Sequence, residues 1–409
     1  MIPKKRITLT LLLSILSEFD NKIFPLFVLH HAQKSLGVES FGSAQFGISL
    51  YEVLIPVVSF GFSTLGAIKF TSAPSERALA KGMLGSIVFW RVLFALIVFA
   101  ALIFLIHTNP QYAVFSAVIF GGCFILFTSA VDFDFVFLAT QKLLPYTVLL
   151  ILIKLLSAGS IIIFVNDPGD AVLYCLLYLA GNACVSLIGF IVVTYKIGLS
   201  IPTGRQLKSV FLQALPYTLS TVILLSGERI DILLAGLLQG SSGAGFYAGP
   251  ARLVASLTHL TGAVGRVFFS ELVAKCEPAY FSRLVQLEVF SASSILFPAV
   301  VGSWFVGEAL ISLFFGQLFA PYASLLSLLA VGAVFHTAIH IFGYQILLVK
   351  NQIAFVNLTM LLGFSLSIAS AVVLATFFEQ EHTLFGIAMG IICGKALMAI
   401  AFVLRSRAY

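Results

Sequence analysis

Charge is scarce in this chain. Asp, Glu, Lys and Arg supply 10% of its 409 residues, where a soluble domain carries about 25%. Sixty per cent is hydrophobic and the mean hydropathy is +1.08, which excludes an ordinary soluble globular chain. Cysteine is sparse as well. Cys123, Cys175, Cys184, Cys276 and Cys393 form an odd set with no C-x-x-C pair, so neither a disulfide framework nor a zinc site is expected. No Walker loop, dinucleotide fingerprint or Ser/His/Asp arrangement occurs, which removes ATP hydrolysis and triad chemistry within this chain. Long polar connections are missing too, so a soluble catalytic domain has no place and no catalytic residue is expected.

A succession of apolar runs fills the chain instead. A helix needs about 20 residues to cross the hydrocarbon core. On that window twelve spans are expected, at 7–30, 44–68, 83–106, 112–138, 143–165, 171–195, 209–237, 245–270, 285–306, 323–348, 353–378 and 384–404. The expected fold is an all-α polytopic membrane protein with twelve transmembrane helices. Lys4-Lys5-Arg6 and the apolar run after it imitate a secretory signal. No small-residue cleavage site follows, so the run reads as half of an uncleaved first span. With the N-terminus inside, fifteen Lys and Arg fall in inside connections and Lys34 alone falls outside. The positive-inside rule then places both termini in the cytoplasm. The net charge of +6 reflects these loops and does not point to nucleic acid.

Charges inside the spans are not explained by topology. The bases are Lys22, Arg91, Lys154, Arg229, Arg252, Arg266 and Lys395; the acids are Glu18, Asp20, Glu52, Asp132, Asp134, Glu228 and Asp231. Each costs about 2.5–3.5 kcal/mol at the bilayer centre, so a polar cavity is their expected surrounding. The densest set lies in Leu207–Glu271, read as a hairpin of two long helices turning at Gly240-Ser241-Ser242-Gly243. Its second arm carries Arg252, His259 and Arg266 at a spacing of seven, which returns to nearly the same helix face. Such a stripe suits a moving anion. For Arg252 alone, an ion pair with Asp231 across the turn is an equal reading.

The first hairpin resembles this one, with Glu18, Asp20 and Lys22 before its turn and Glu52 after it. A repeat of six plus six helices follows: an N-terminal lobe over 1–196, a cytoplasmic linker over 197–208 and a C-terminal lobe over 209–409. Glu18, Asp20, Glu52, Glu228 and Asp231 are candidates for ion coupling, although Glu18 and Lys22, four apart, also suit mutual neutralisation. Arg91 and Lys154 have no acid within four residues on their own helices, so their partners come from elsewhere. Asp132-Phe133-Asp134 has the D-x-D form used by glycosyltransferases, without a sugar-nucleotide domain around it. His336 and His340 are four apart but lack a third ligand, so no metal site is expected. Gly386, Gly390 and Gly394 form a close-packing stripe, which gives the adjacent Lys395 a structural reading. Pro25, Pro56 and Pro216 permit kinks in spans one, two and seven.

Several stretches together carry a family resemblance. LKSVFLQALPYTLSTVILLSGERIDILLAGLL followed by GAGFYAGPARLVASL, with Pro216, Asp231, Gly245 and Tyr247, is one. The others are LLPYTVLLILIKLLSAGSIIIFVNDPGDAVLYCLLYLAGN, HTLFGIAMGIICGKALMAIAF and LGVESFGSAQFGISL. By these the chain resembles a polysaccharide flippase of the MOP (multidrug/oligosaccharidyl-lipid/polysaccharide) exporter superfamily. The resemblance implies two six-helix lobes around a central cavity formed mainly by spans one, two, seven and eight. It implies transfer of undecaprenyl-diphosphate-linked oligosaccharide to the outer leaflet of the bacterial cytoplasmic membrane by alternating access. Cationic cavity residues would hold the diphosphate, a role that falls here on Lys22, Arg91, Lys154, Arg229, Arg252, His259 and Arg266. No cofactor is implied beyond a coupling proton or sodium ion. The implied partners are the lipid-linked substrate, membrane lipids and other polysaccharide-assembly proteins. Where many relatives have an aromatic-Gln-Gly-x-Glu segment, this chain reads FTSAVDFDFVF, which leaves the glycan open. A multidrug exporter of the same superfamily is the rival transporter, and a membrane glycosyltransferase or glycan polymerase is the rival enzyme.

Overall fold

A computed structural model describes residues 24–72, 77–109, 112, 115–139, 143–274, 278–379 and 382–407. Every regular element among them is helical. In chain order these are α1 (Phe24–Ser59), α2 (Phe62–Ser72), α3 (Arg77–Thr108), α4 (Ser116–Gly122), α5 (Phe124–Ala130), α6 (Asp134–Ala139) and α7 (Leu143–Phe164). They continue as α8 (Ala171–Lys196), α9 (Gly204–Ser226), α10 (Ile230–Ala274), α11 (Pro278–Phe315), α12 (Ala323–Ala338), α13 (Ile353–Phe377) and α14 (Thr383–Ser406). A π-helical segment, Ile339–Leu347, prolongs α12. Eight helical stretches among the described residues are long and apolar enough to cross a membrane. Large apolar side chains lie on the outside, including Phe104, Phe290, Trp304, Phe305 and Phe377, each at least 70% exposed. In water such a surface is a liability; against lipid it costs nothing. The chain is a multi-pass membrane protein.

The expected spans 143–165, 171–195, 353–378 and 384–404 correspond to α7, α8, α13 and α14 within one or two residues at each end. Other spans are interrupted, each for a local reason. The span expected at 44–68 breaks at Phe60, whose φ is 52° and whose N–H still donates to Pro56 O at 2.9 Å. At the following Gly61 a Cβ would come 2.7 Å from Ala214 O, so only glycine lets α9 pass there. The span expected at 112–138 is divided into α4, α5 and α6. The one expected at 209–237 stops at Ser226, whose hydroxyl donates to Val53 O at 2.9 Å. The expected turn at 240–243 is a kink within α10, confined to Gly240 (φ 69°, ψ −165°).

Gly37 repeats that conformation inside α1 (φ 72°, ψ 172°), so both hairpins change direction by the same device. Torsions of this kind are essentially open to glycine alone and cost other residues about 1–3 kcal/mol. A Cβ at Gly37 or Gly240 would meet nothing within 4 Å, so the cost is one of backbone conformation only. Gly240→Ala is therefore expected to lower stability by about 1–3 kcal/mol without disturbing packing. Thermal unfolding of the detergent-purified protein checks this.

The chain folds into two compact units, one made of 1–34 with 234–409 and the other of 35–233. In the second unit α9 is held to α3 and the end of α1. Trp90 Nε1 donates to Leu207 O at 3.0 Å, and the rings of Trp90 and Phe211 lie 4.9 Å apart, with Phe60 5.3 Å from Phe211. In the first unit α13 and α14 meet along the glycine row: a Cβ at Gly386, Gly390 or Gly394 would come within 3 Å of α13 atoms. The close-packing stripe is thus realised.

Candidate functional site

Two buried polar nodes lie in the second unit. The first sits at the break between α9 and α10. Arg229 Nε is 2.6 Å from Glu52 Oε2, with the arginine side chain 6% and the glutamate 25% exposed. Glu228, Asp231 and Tyr178 also lie within electrostatic reach of the guanidinium. Asp231 caps the new helix by accepting from Ile232 N at 2.8 Å. Arg229, expected to hold an anion, and Glu52, expected to take a coupling ion, are therefore each other's partners here. The charge around Arg229 is negative on balance: one guanidinium faces three carboxylates. An unwound turn between two helices supplies the backbone freedom that lets these groups converge.

The second node is built on Arg91. Its side chain is fully buried. Nη1 donates to Asp132 O at 2.6 Å and Nη2 to Ser63 Oγ at 2.7 Å, while Phe135 lies 5.8 Å beneath the guanidinium. Asp132 and Asp134 supply the negative charge near it. Both also organise the backbone: Asp132 Oδ1 accepts from Asp134 N at 3.2 Å and Asp134 Oδ1 from Phe135 N at 2.6 Å. The D-x-D sequence thus opens α6 and balances Arg91. Phe62, Leu84, Ile87, Phe133 and Phe135 form the apolar shell.

In the first unit, Arg252 and His259 lie on helical backbone that runs without a break from Ser241 to Ala274. Arg252 is 8% exposed and His259 is half-buried. Arg266 lies on the same helical run, so the seven-residue spacing holds; its side chain is outside the described residues. Glu18, Asp20 and Lys22 are likewise outside them. Lys154 lays its stem near the small face of α8, with Cγ 3.9 Å from where a Cβ on Gly181 would stand. Glu228 is half-buried in the turn before α10.

One group escaped the sequence reading. Glu288 on α11 is 1% exposed; the Gln345 amide faces it, but neither carboxylate oxygen has a partner at full hydrogen-bond geometry among the described residues. The signal was available, since Glu288 falls inside the span expected at 285–306. A single acid in a strongly apolar run leaves the pattern undisturbed and is easily passed over. Among the described residues no group of three or more His, Cys, Asp or Glu could hold a metal ion.

The sequence profile of the family described as "Polysaccharide biosynthesis protein" matches residues 10–269. No curated protein matches the chain significantly. Solved structures do. An inward-facing multidrug resistance MATE family transporter of the MOP superfamily is similar at 14% identity with a TM-score of 0.63, over 93% of this chain and 93% of that one. A MOP superfamily transporter from Pyrococcus furiosus, described as having a binding pocket of reverse polarity, is similar at 15% identity with a TM-score of 0.62, over 99% and 95%. A eukaryotic MATE transporter follows at 14% and 0.57, over 99% and 96%. At these identities the likeness is one of fold. With the profile covering more than half of its length, the chain belongs to the polysaccharide biosynthesis family.

Proposed function

We propose that the protein is a flippase rather than an enzyme. It moves undecaprenyl-diphosphate-linked oligosaccharide from the cytoplasmic to the outer leaflet of the bacterial cytoplasmic membrane by alternating access. Membership of a polysaccharide biosynthesis family carries this reading. Twelve spans with cytoplasmic termini, in lobes of 1–196 and 209–409, follow from the distribution of Lys and Arg. The diphosphate is a doubly charged group that arginine recognises by paired, charge-assisted hydrogen bonds. Arg252, His259 and Arg266, seven residues apart on one helical run, are the proposed diphosphate ligands, with Lys22 and Lys154 as further cations. Arg91 and Arg229 hold internal partners in this conformation, so they act in the cycle only when those contacts open.

A multidrug exporter is the second reading, favoured by the fold likeness to MATE transporters. It requires a site for organic cations, which a stripe of two arginines and a histidine opposes by like-charge repulsion.

Arg252→Ala is expected to abolish surface glycan while the protein stays in the membrane at normal level. Immunoblotting of membranes beside glycan staining of whole cells checks both. Normal glycan in this variant would overturn the assignment of the cavity, and drug sensitivity without a glycan defect would favour the exporter.

A further inference from the structure

Glu288, Gln345 and His340 converge on the space left by a glycine. A Cβ at Gly265 of α10 would come 2.6 Å from Gln345 Nε2, 3.1 Å from Glu288 Oε1 and 3.6 Å from His340 Nδ1. The amide nitrogen is itself 3.4 Å from the imidazole Nδ1. Two elements, α11 and the π-helical segment, therefore bring a carboxylate, an amide and an imidazole together against Gly265 of α10 in the first unit. The Gln345 amide is the donor that faces the Glu288 carboxyl, yet Glu288 Oε1, Glu288 Oε2 and Gln345 Oε1 are all buried without a partner at full hydrogen-bond geometry among the described residues. The walls around them are apolar, with Val285, Val289 and Ala292 on α11 and Ile341 and Ile346 opposite.

Buried acceptors in an apolar shell are expensive unless something donates to them. The described charged and titratable groups on the packed elements are His336, His340 and Tyr344 on α12 and its π extension, Tyr280, Arg283 and Glu308 on α11, Arg252 and His259 on α10, and Lys395 and Arg405 on α14, with Lys350 just past the π segment 4.9 Å over the Phe281 ring. On α10 Arg266 follows Gly265 in sequence. His340 and Gln345 both lie in the π-helical segment, a rare form found mostly at functional positions because its widened turn frees backbone groups and re-aims side chains.

We propose that Glu288, with Gln345 and His340, is a proton-binding site within the membrane through which a proton gradient drives this transporter. One proton from water adds to a carboxylate oxygen and later leaves; no other bond forms or breaks. The neutral acid supplies an O–H donor among acceptors that are otherwise unpartnered, and the imidazole beside it is a group able to pass a proton at neutral pH. Gly265 is required because any side chain would occupy the space where the three groups meet. The location differs from the carboxylates at Glu52, Glu228 and Asp231.

Proton binding is tested directly and without substrate, by infrared difference spectroscopy of the full-length protein in lipid between acidic and alkaline buffer. A protonated-carboxyl band is expected in the wild type, lost in Glu288→Gln and shifted in His340→Ala and Gly265→Ala, while Arg266→Ala retains it. An unchanged band in Glu288→Gln overturns the proposal, as does absence of the band in the wild type with its appearance in Arg266→Ala, the mark of a permanent ion pair. A band that responds to sodium and not to pH overturns the proton assignment in favour of a sodium site. The link to transport rests on the flippase reading and is read separately in proteoliposomes carrying lipid-linked oligosaccharide. There Glu288→Gln is expected to lose the stimulation by a pH gradient. Loss of that stimulation in Glu52→Gln or Asp231→Asn, with Glu288→Gln unaffected, overturns the coupling role. If the wild type moves no lipid-linked oligosaccharide, the flippase reading fails while the spectroscopic result stands on its own.

Discussion

Gly390→Val is expected to be among the most disruptive single substitutions in the chain. A Cβ at this position would lie 2.2 Å from Ala371 N and 2.3 Å from Ala371 Cα. Both are backbone atoms of α13, so no side-chain rotation relieves the overlap and the helices have to separate. Separation also loses Ser370 Oγ to Gly390 O at 2.9 Å and the approach of Gly394 to Ser367. Overpacking of this kind costs about 1–3 kcal/mol and occasionally more, and an obstacle made of backbone places it at the upper end. In membranes apolar burial adds little to helix association, so close van der Waals contact is what remains to hold the pair. Gly302→Val is the control, because a Cβ there would meet nothing within 4 Å. Size-exclusion profiles and thermal unfolding in mild detergent should show a clear loss for Gly390→Val and little change for Gly302→Val. Equal behaviour of the two would mean that the glycine row does not hold α13 to α14.

That row was legible in the sequence because its period is local: residues four apart on one helix make one ridge whatever lies opposite. The spans that correspond to α7, α8, α13 and α14 were legible for a similar reason, since unbroken apolar runs have ends that composition marks. The breaks were not. Gly61 is remarkable in sequence only once α9 is known to pass against it, and the end of α9 depends on a bond from Ser226 to Val53. Asp132 and Asp134 share only their spacing with a catalytic motif, and their placement beside Arg91 explains them as its counter-charges. The helical run that carries Arg252, His259 and Arg266 was readable from its period alone. The pairing of Arg229 with Glu52 was not, because nothing local to either residue names a partner so distant in the chain.

Removing one member of that pair is the second substitution with a large expected effect. Breaking a fully buried pair by deleting one partner costs about 3–5 kcal/mol, because the other charge is left uncompensated. Arg229 is buried and Glu52 a quarter exposed, so Arg229→Met, which leaves Glu52 partly hydrated, falls near or below the lower end of that range. Glu52→Gln leaves a buried guanidinium with Glu228 and Asp231 still in reach, and so costs less. The double variant is expected to recover part of the loss, since replacing both members of a buried pair by neutral groups is often neutral or stabilising, while Glu228 and Asp231 still lose the guanidinium within their reach. A double-mutant cycle on thermal unfolding isolates the coupling between them, and a coupling near zero would show that the two residues do not depend on each other. Function separates what stability joins. If the pair is only structural, the double variant transports as the wild type does. If it opens during the cycle to release Arg229 for the diphosphate, the double variant is stable and yet inactive, and restoring a cation with Arg229→Lys recovers part of the flux.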